Sequence, residues 1–175
     1  VLILDEFLTD KALRAELLQF TLDNSAQFER STVHTDGETE DREDYRISLY
    51  CKAGLGPLDK RLRQIATDNF AQLCAGAGIT PFPIGHIETE LAAHGDGAFF
   101  NPHIDTFSGR GRSMNNSDRV LTAVYYFHRE PKGFSGGSIE VFPYGYRGGP
   151  TQIIEPVQNR LICFASTALH RVNAV

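Results

Sequence analysis

Apolar positions recur at two different periods along this chain, and the period changes near residue 80. In the first part the spacing is helical. Leu13, Leu17 and Phe20 fall on one stripe, widened by Leu18 and Leu22, which predicts a core-facing helix over 10–23 capped by Thr9 or Asp10. A second stripe of Leu58, Leu62, Ile65, Phe70 and Leu73 predicts a helix over 57–75. Pro57 sits in its first turn, and Gly76 and Gly78 close it. Residues 1–4 (VLIL) read as a short strand or lead-in. Residues 29–44 are polar and acidic, a long loop that either is a solvated connection or covers a substrate. Tyr45 to Cys51 alternates enough for a strand.

Beyond residue 80, short β-type runs alternate with clusters of Gly, Pro, Asn and Asp. The predicted strands are 84–93, 98–106, 119–128, 137–143, 151–155, 160–165 and 169–175. Seven short strands separated by turn signals indicate a sandwich or barrel. The chain therefore reads as mostly β with N-terminal helices, an α+β arrangement. It forms one domain over 1–175, with helical support over 1–80 and a β core over 81–175.

Composition narrows the class. The 175 residues are 41% hydrophobic and 10% aromatic, enough to bury a core. A net charge of −5 argues against a general nucleic-acid binder. No apolar run reaches the roughly 18 residues of a membrane span, and no basic segment followed by an apolar one marks a signal peptide. Three widely spaced cysteines, Cys51, Cys74 and Cys163, suit a reducing compartment, so a cytoplasmic protein is expected. The first residue is Val1, not Met, and Val175 falls inside a predicted strand, so a chain trimmed at both ends is expected.

Of six histidines, one pairs tightly with a carboxylate. In a strand, His103 and Asp105 point to the same face while Ile104 points away. Alone, His-x-Asp is more often a surface hydrogen bond than a metal site. His170 supplies a third donor, opening a strand after the small-residue turn Ser166, Thr167 and Ala168. Two His and one carboxylate make the facial triad of non-haem Fe(II) sites, which leaves open positions. Zinc would draw Cys or a third His, and the cysteines lie far from this spacing.

Taken in order, these residues resemble the prolyl-4-hydroxylase-type branch of the iron(II)/2-oxoglutarate-dependent dioxygenases. The elements are His103 and Asp105, then 119–127 (RVLTAVYYF), 134–143 (FSGGSIEVFP), 154–156 (IEP), 159–164 (NRLICF) and His170. The opening 5–8 (DEFL) and Arg46-x-Ser48 resemble bacterial members of the same branch.

The resemblance implies a double-stranded β-helix (jelly-roll) core, Fe(II) held by His103, Asp105 and His170, and 2-oxoglutarate and O2 as co-reactants. It also implies hydroxylation of an unactivated C–H bond with release of succinate and CO2, and ascorbate as a reductant. Tyr126 matches a family tyrosine that binds the far carboxylate of 2-oxoglutarate, and Val124, Ile139 and Val172 would wall the cosubstrate pocket. His94 lies near a family position facing the cosubstrate, and a structural histidine is an equal reading of it. The family also places a basic residue nine or ten positions after the second iron histidine. This chain ends five residues after His170, with the last of eight jelly-roll strands and that residue not included. Arg171 is expected to point away from the metal face.

On the substrate side, 107–118 follows the Asp ligand and carries Arg110 and Arg112. It reads as a recognition loop or a solvated connection. The segment 144–149 is a second rim. The expected substrate is a small molecule, peptide or protein, with a peptidyl prolyl group among the candidates. A jelly-roll module that keeps the metal but not the turnover is the alternative.

Overall fold

The computed structural model describes residues 1–35, 38–106, 119–146 and 151–175. After strand β1 (Leu2–Leu4) comes helix α1 (Lys11–Asp23), capped by Asp10. The Asp10 carboxylate accepts from the backbone N–H of Ala12 and of Leu13 at 2.9 and 3.1 Å. Leu13 and Leu17 are its buried face, packed with Leu8, Leu55 and Leu58. The stretch expected as a loop over 29–44 instead contains strands β2 (Phe28–Arg30), β3 (Val33–Thr35) and β4 (Glu38–Glu40). β3 and β4 form a hairpin. Backbone pairing at an edge needs little apolar content, so a polar segment gave no periodic signal.

The run Tyr45 to Cys51 is two strands. β5 (Arg46–Ile47) and β6 (Leu49–Cys51) part at Ser48, whose carbonyl accepts from the Ser31 N–H at 2.9 Å. β5 joins one sheet and β6 another. The predicted 57–75 helix is also divided, into α2 (Asp59–Asp68) and α3 (Phe70–Gly76). Asn69 (φ −97°, ψ 2°) ends the first by turning its side-chain amide back to the Ile65 carbonyl at 2.8 Å.

The predicted strand 84–93 shrinks to β7 (Ala92–Ala93), because its partner β6 is only three residues long and Pro81 and Pro83 remove donors ahead of it. The other six β predictions hold, 160–165 with its predicted bounds and five with shifted ends. They are β8 (Phe99–His103), β9 (Leu121–Tyr126), β10 (Ile139–Tyr146), β11 (Gln152–Ile154), β12 (Arg160–Ala165) and β13 (Leu169–Val172).

These strands form an antiparallel jelly roll. One sheet has the order β11-β10-β13-β8-β5, and the facing sheet β1-β12-β9. Ile139, Val141 and Ile154 of the first meet Ile162 and Phe164 of the second, with Val124 and Tyr126 packed against them. On the outer face of the smaller sheet, Leu161 and Cys163 pack under Leu73 of α3. At Gly136 (φ 71°) a side chain would meet the Ala174 carbonyl oxygen, so only glycine lets the C-terminal segment pass. Among the described residues no helix is long and apolar enough to cross a membrane.

Candidate metal centre

The antiparallel register of β8 and β13 makes His103 and His170 direct partners, with ring centroids 4.1 Å apart. The predicted strand 98–106 stops at His103, so Asp105 lies just past the strand end. It is nevertheless turned back to the histidines, because the Ser166 carbonyl accepts from the N–H of Asp105 (2.9 Å) and of Thr106 (3.2 Å). His103 Nε2 and His170 Nε2 each lie 3.6 Å from an oxygen of the Asp105 carboxylate. One ligand atom from each of the three falls within 4.8 Å of the others.

Each imidazole is oriented by its other nitrogen. His103 Nδ1 lies 2.7 Å from the Asn101 carbonyl and His170 Nδ1 lies 3.0 Å from that of Ala168. A carbonyl only accepts, so each Nδ1 carries a proton and donates it, which leaves each Nε2 as the atom turned to the gap. Burial, aided by the His170 ring, pushes His103 down to about 4, which keeps it a neutral donor at pH 7. Asp105 is oriented in turn. Thr122 Oγ donates to it at 2.8 Å and lies 2.9 Å from the Ser166 hydroxyl.

This donor set fits a metal ion. A separation of 3.6 Å is too long for a hydrogen bond, yet it brings three metal-ligating atoms together. Two imidazoles and one carboxylate suit Fe(II) with open positions. The three cysteines are buried outside this cluster.

The remaining predicted residues fall as follows. Thr122, Val124 and Tyr126 share one face of β9 by alternation, and Val124 and Tyr126 pack with Ile139. Val172 is the cross-strand partner of Ile139 and of Phe100. Burial raises the Tyr126 phenol well above its ordinary range, so it stays a neutral O–H donor, with no hydrogen-bond partner among the described residues. His94 lies outside that cluster, exposed just after β7, and desolvation together with Arg46 lowers its pKa. Arg171 turns outward, as expected, and pairs with the buried Glu140 carboxylate at 2.5 and 2.7 Å. Arg110 and Arg112, with the rest of 107–118, lie outside the described residues, as does part of 144–149.

Three participants were not singled out from the sequence. Thr122 and Ser166 have ordinary identities for a strand and a turn; only Thr122's alternation with Val124 and Tyr126 placed it on the inner face. Phe100 belongs to no motif, yet its ring stacks on His103 with centroids 3.4 Å apart and planes 17° apart.

Residues 89–175 match the model of the 2OG-Fe(II) oxygenase superfamily, a stretch that holds all three candidate ligands. The chain belongs to that superfamily. An uncharacterized PKHD-type hydroxylase from Synechocystis is 32% identical over 124 residues, covering 67% of this chain; the chain spans 39% of that relative's length. Among solved structures, this 2OG-Fe(II) oxygenase resembles a Pseudomonas putida prolyl-4-hydroxylase (TM-score 0.66, 20% identity, covering 99% of this chain and 84% of that one). It also resembles a Trichoplax adhaerens prolyl hydroxylase solved with a hypoxia inducible factor peptide fragment (TM-score 0.73, 19% identity, 99% and 76%). At these identities the likeness concerns the fold.

Proposed function

We propose that this chain is an Fe(II)- and 2-oxoglutarate-dependent hydroxylase of an unactivated C–H bond, with a peptidyl prolyl group as the leading substrate. The observation that carries the reading is the convergence of His103, Asp105 and His170, each oriented by its own neighbours while one ligand atom of each lies within 4.8 Å of the others. These three would hold Fe(II). When bound, Fe(II), 2-oxoglutarate and O2 supply the oxidising chemistry that hydroxylates a C–H bond and yields succinate and CO2, with ascorbate as reductant.

The chain's own residues hold that chemistry in place. Asn101 and Ala168 carbonyls fix the imidazole tautomers, and Thr122 and Ser166 aim the carboxylate. Tyr126 offers its hydroxyl proton to the far carboxylate of the cosubstrate. Val124, Ile139 and Val172 exclude water around it, and His94 stands at the outer side as a further hydrogen-bonding group. Hydroxylation is supported by the PKHD-type hydroxylase relative, and a peptide substrate by the peptide-bound Trichoplax neighbour.

The test is iron stoichiometry together with succinate formation. One Fe(II) per chain and 2-oxoglutarate-dependent succinate, both lost in His103→Ala, are expected. Bound iron with no 2-oxoglutarate consumed would instead favour a metal-binding jelly-roll module without turnover.

A further inference from the structure

The stack on His103 continues outward. Arg46 is the cross-strand partner of Phe100, and its guanidinium carbon lies 4.6 Å from the centre of that ring. Phe100 in turn lies against His103. A cation therefore stands one aromatic ring away from a candidate metal ligand.

This cation is poorly matched by counter-charge. Its side chain is only 16% exposed, yet its nearest carboxylate, Glu90, is 59% exposed and 3.4 Å from Nη2. Nε donates to the neutral Ser48 hydroxyl at 2.6 Å. Arg160 shows what a matched arginine looks like here: Nε and Nη2 hold the two oxygens of Asp5 at 2.6 and 2.9 Å. A buried cation is costly unless paired and hydrogen-bonded. Arg46 Nη1 has no partner among the described residues.

There is space beside it. A cleft of about 220 Å³ is lined by Arg46, Ser48, Ser31 and Arg30, with Asp41 and Asp96. Ser31 is 5% exposed and its hydroxyl is buried without a hydrogen-bond partner. Arg30 is occupied by Asp41, at 3.7 Å, and by Glu43. Arg46 is thus the basic group left over, with Ser31 as a second unused donor on the same cleft. Asp41 and Asp96 disfavour a dianion there.

We infer that Arg46 and Ser31 form a subsite for one carboxylate of the substrate, so that the preferred substrate is a carboxylate-bearing molecule whose reacting C–H bond is thereby held over the metal centre. The inference rests on the hydroxylase reading for its purpose, but the subsite can be tested without turnover.

The probes are N-acetyl amino acids, each as free acid and as amide, with the glutamate and glutamine amides reporting a side-chain carboxylate. Binding is measured by calorimetry on the chain loaded with Mn(II) and 2-oxoglutarate without oxygen, and again on the metal-free chain. At least one acid is expected to bind tenfold or more tighter than its amide. Arg46→Met, which keeps the stacking volume, should remove that preference. Arg46→Lys should keep part of it, and Ser31→Ala should weaken acid binding about threefold. The 2-oxoglutarate affinity should stay within twofold throughout.

A panel in which no acid outbinds its amide overturns the subsite, as does a preference that survives Arg46→Met. A tenfold loss of 2-oxoglutarate affinity in Arg46→Met with acid preference unchanged also overturns it, by assigning Arg46 to the cosubstrate. An Arg46-dependent preference in the metal-free chain would support the subsite even if succinate never forms, which separates its fate from that of the hydroxylase reading.

Discussion

Two buried polar clusters in this molecule are built on opposite terms. At Asn159, fully buried at φ 60°, every side-chain group is answered from within the protein. Its oxygen accepts from the Leu8 N–H and the Tyr125 hydroxyl, each at 2.9 Å, and its amide donates to Glu6 and to the Leu8 carbonyl. At His103, Asp105 and His170 only the outward atoms are answered, and three inward acceptors face one another. Polar groups removed from water demand partners. A closed network is a staple, here joining the N-terminal segment to β9 and β12. A network closed everywhere except at a convergent set of lone pairs lacks a cation.

The contrast breaks most visibly with Asp105→Ala. Removing the only anion among the three donors should lower Fe(II) affinity at least a hundredfold, while metal-free stability changes by no more than about 1 kcal/mol, since the one hydrogen bond lost, from Thr122, is half-buried and Thr122 keeps Ser166 as a partner. Metal titration alongside denaturant unfolding of the metal-free protein reads both. Asn159→Ala should do the reverse. It leaves buried donors and acceptors unpaired and should cost about 2–4 kcal/mol of stability, with Fe(II) stoichiometry of the folded fraction unchanged. Asn159→Gly tolerates the positive φ and isolates the side-chain share. If Asn159→Ala abolished iron binding in folded protein, the two clusters would not be independent.

The same contrast governs what the sequence disclosed. Leu161 to Phe164 is an unbroken apolar run facing both layers, and β12 was legible from it. His103 and Asp105 were legible because two-residue spacing implies a shared face, although the strand ends between them and the Ser166 carbonyl does the aligning. Thr122, Ser166 and the Arg46–Phe100–His103 stack were not, because each depends on a cross-strand register that no local pattern encodes. The break at Asn69 escaped because the apolar stripe runs straight through it; the amide that caps α2 looks like any helix-surface Asn. The β2–β4 strands escaped because they carry charge instead of alternation.

A gentler probe is pH, applied to metal-free protein. His103 is held at about 4 in the fold against an ordinary value near 6.5. The folded pKa is depressed, so the unfolded chain binds the extra proton first as pH falls. Stability is fully present above about 6.5 and declines towards 4, by about 3 kcal/mol. His103→Phe should flatten that part of the profile in unfolding midpoints measured across the window. An unchanged slope would mean that the ring is not held neutral by burial.

The smallest effect tests whether orientation, as distinct from ligation, matters at the open cluster. Thr122→Val keeps the shape of the side chain and its place on β9 but removes the hydroxyl that donates to Asp105 and meets Ser166. Asp105 keeps both carboxylate oxygens, and its N–H and that of Thr106 still donate to the Ser166 carbonyl. Metal ligands depend on such supporting bonds for one to two powers of ten in affinity. With one support remaining, the lower end is expected: about tenfold weaker Fe(II) binding. In the metal-free protein the change should be within about 1 kcal/mol, because Thr122 is only half-buried. A loss as large as that of Asp105→Ala would make the hydroxyl part of the coordination itself. No loss at all would mean that the backbone bonds alone hold Asp105, and that the open cluster is as rigid as the closed one.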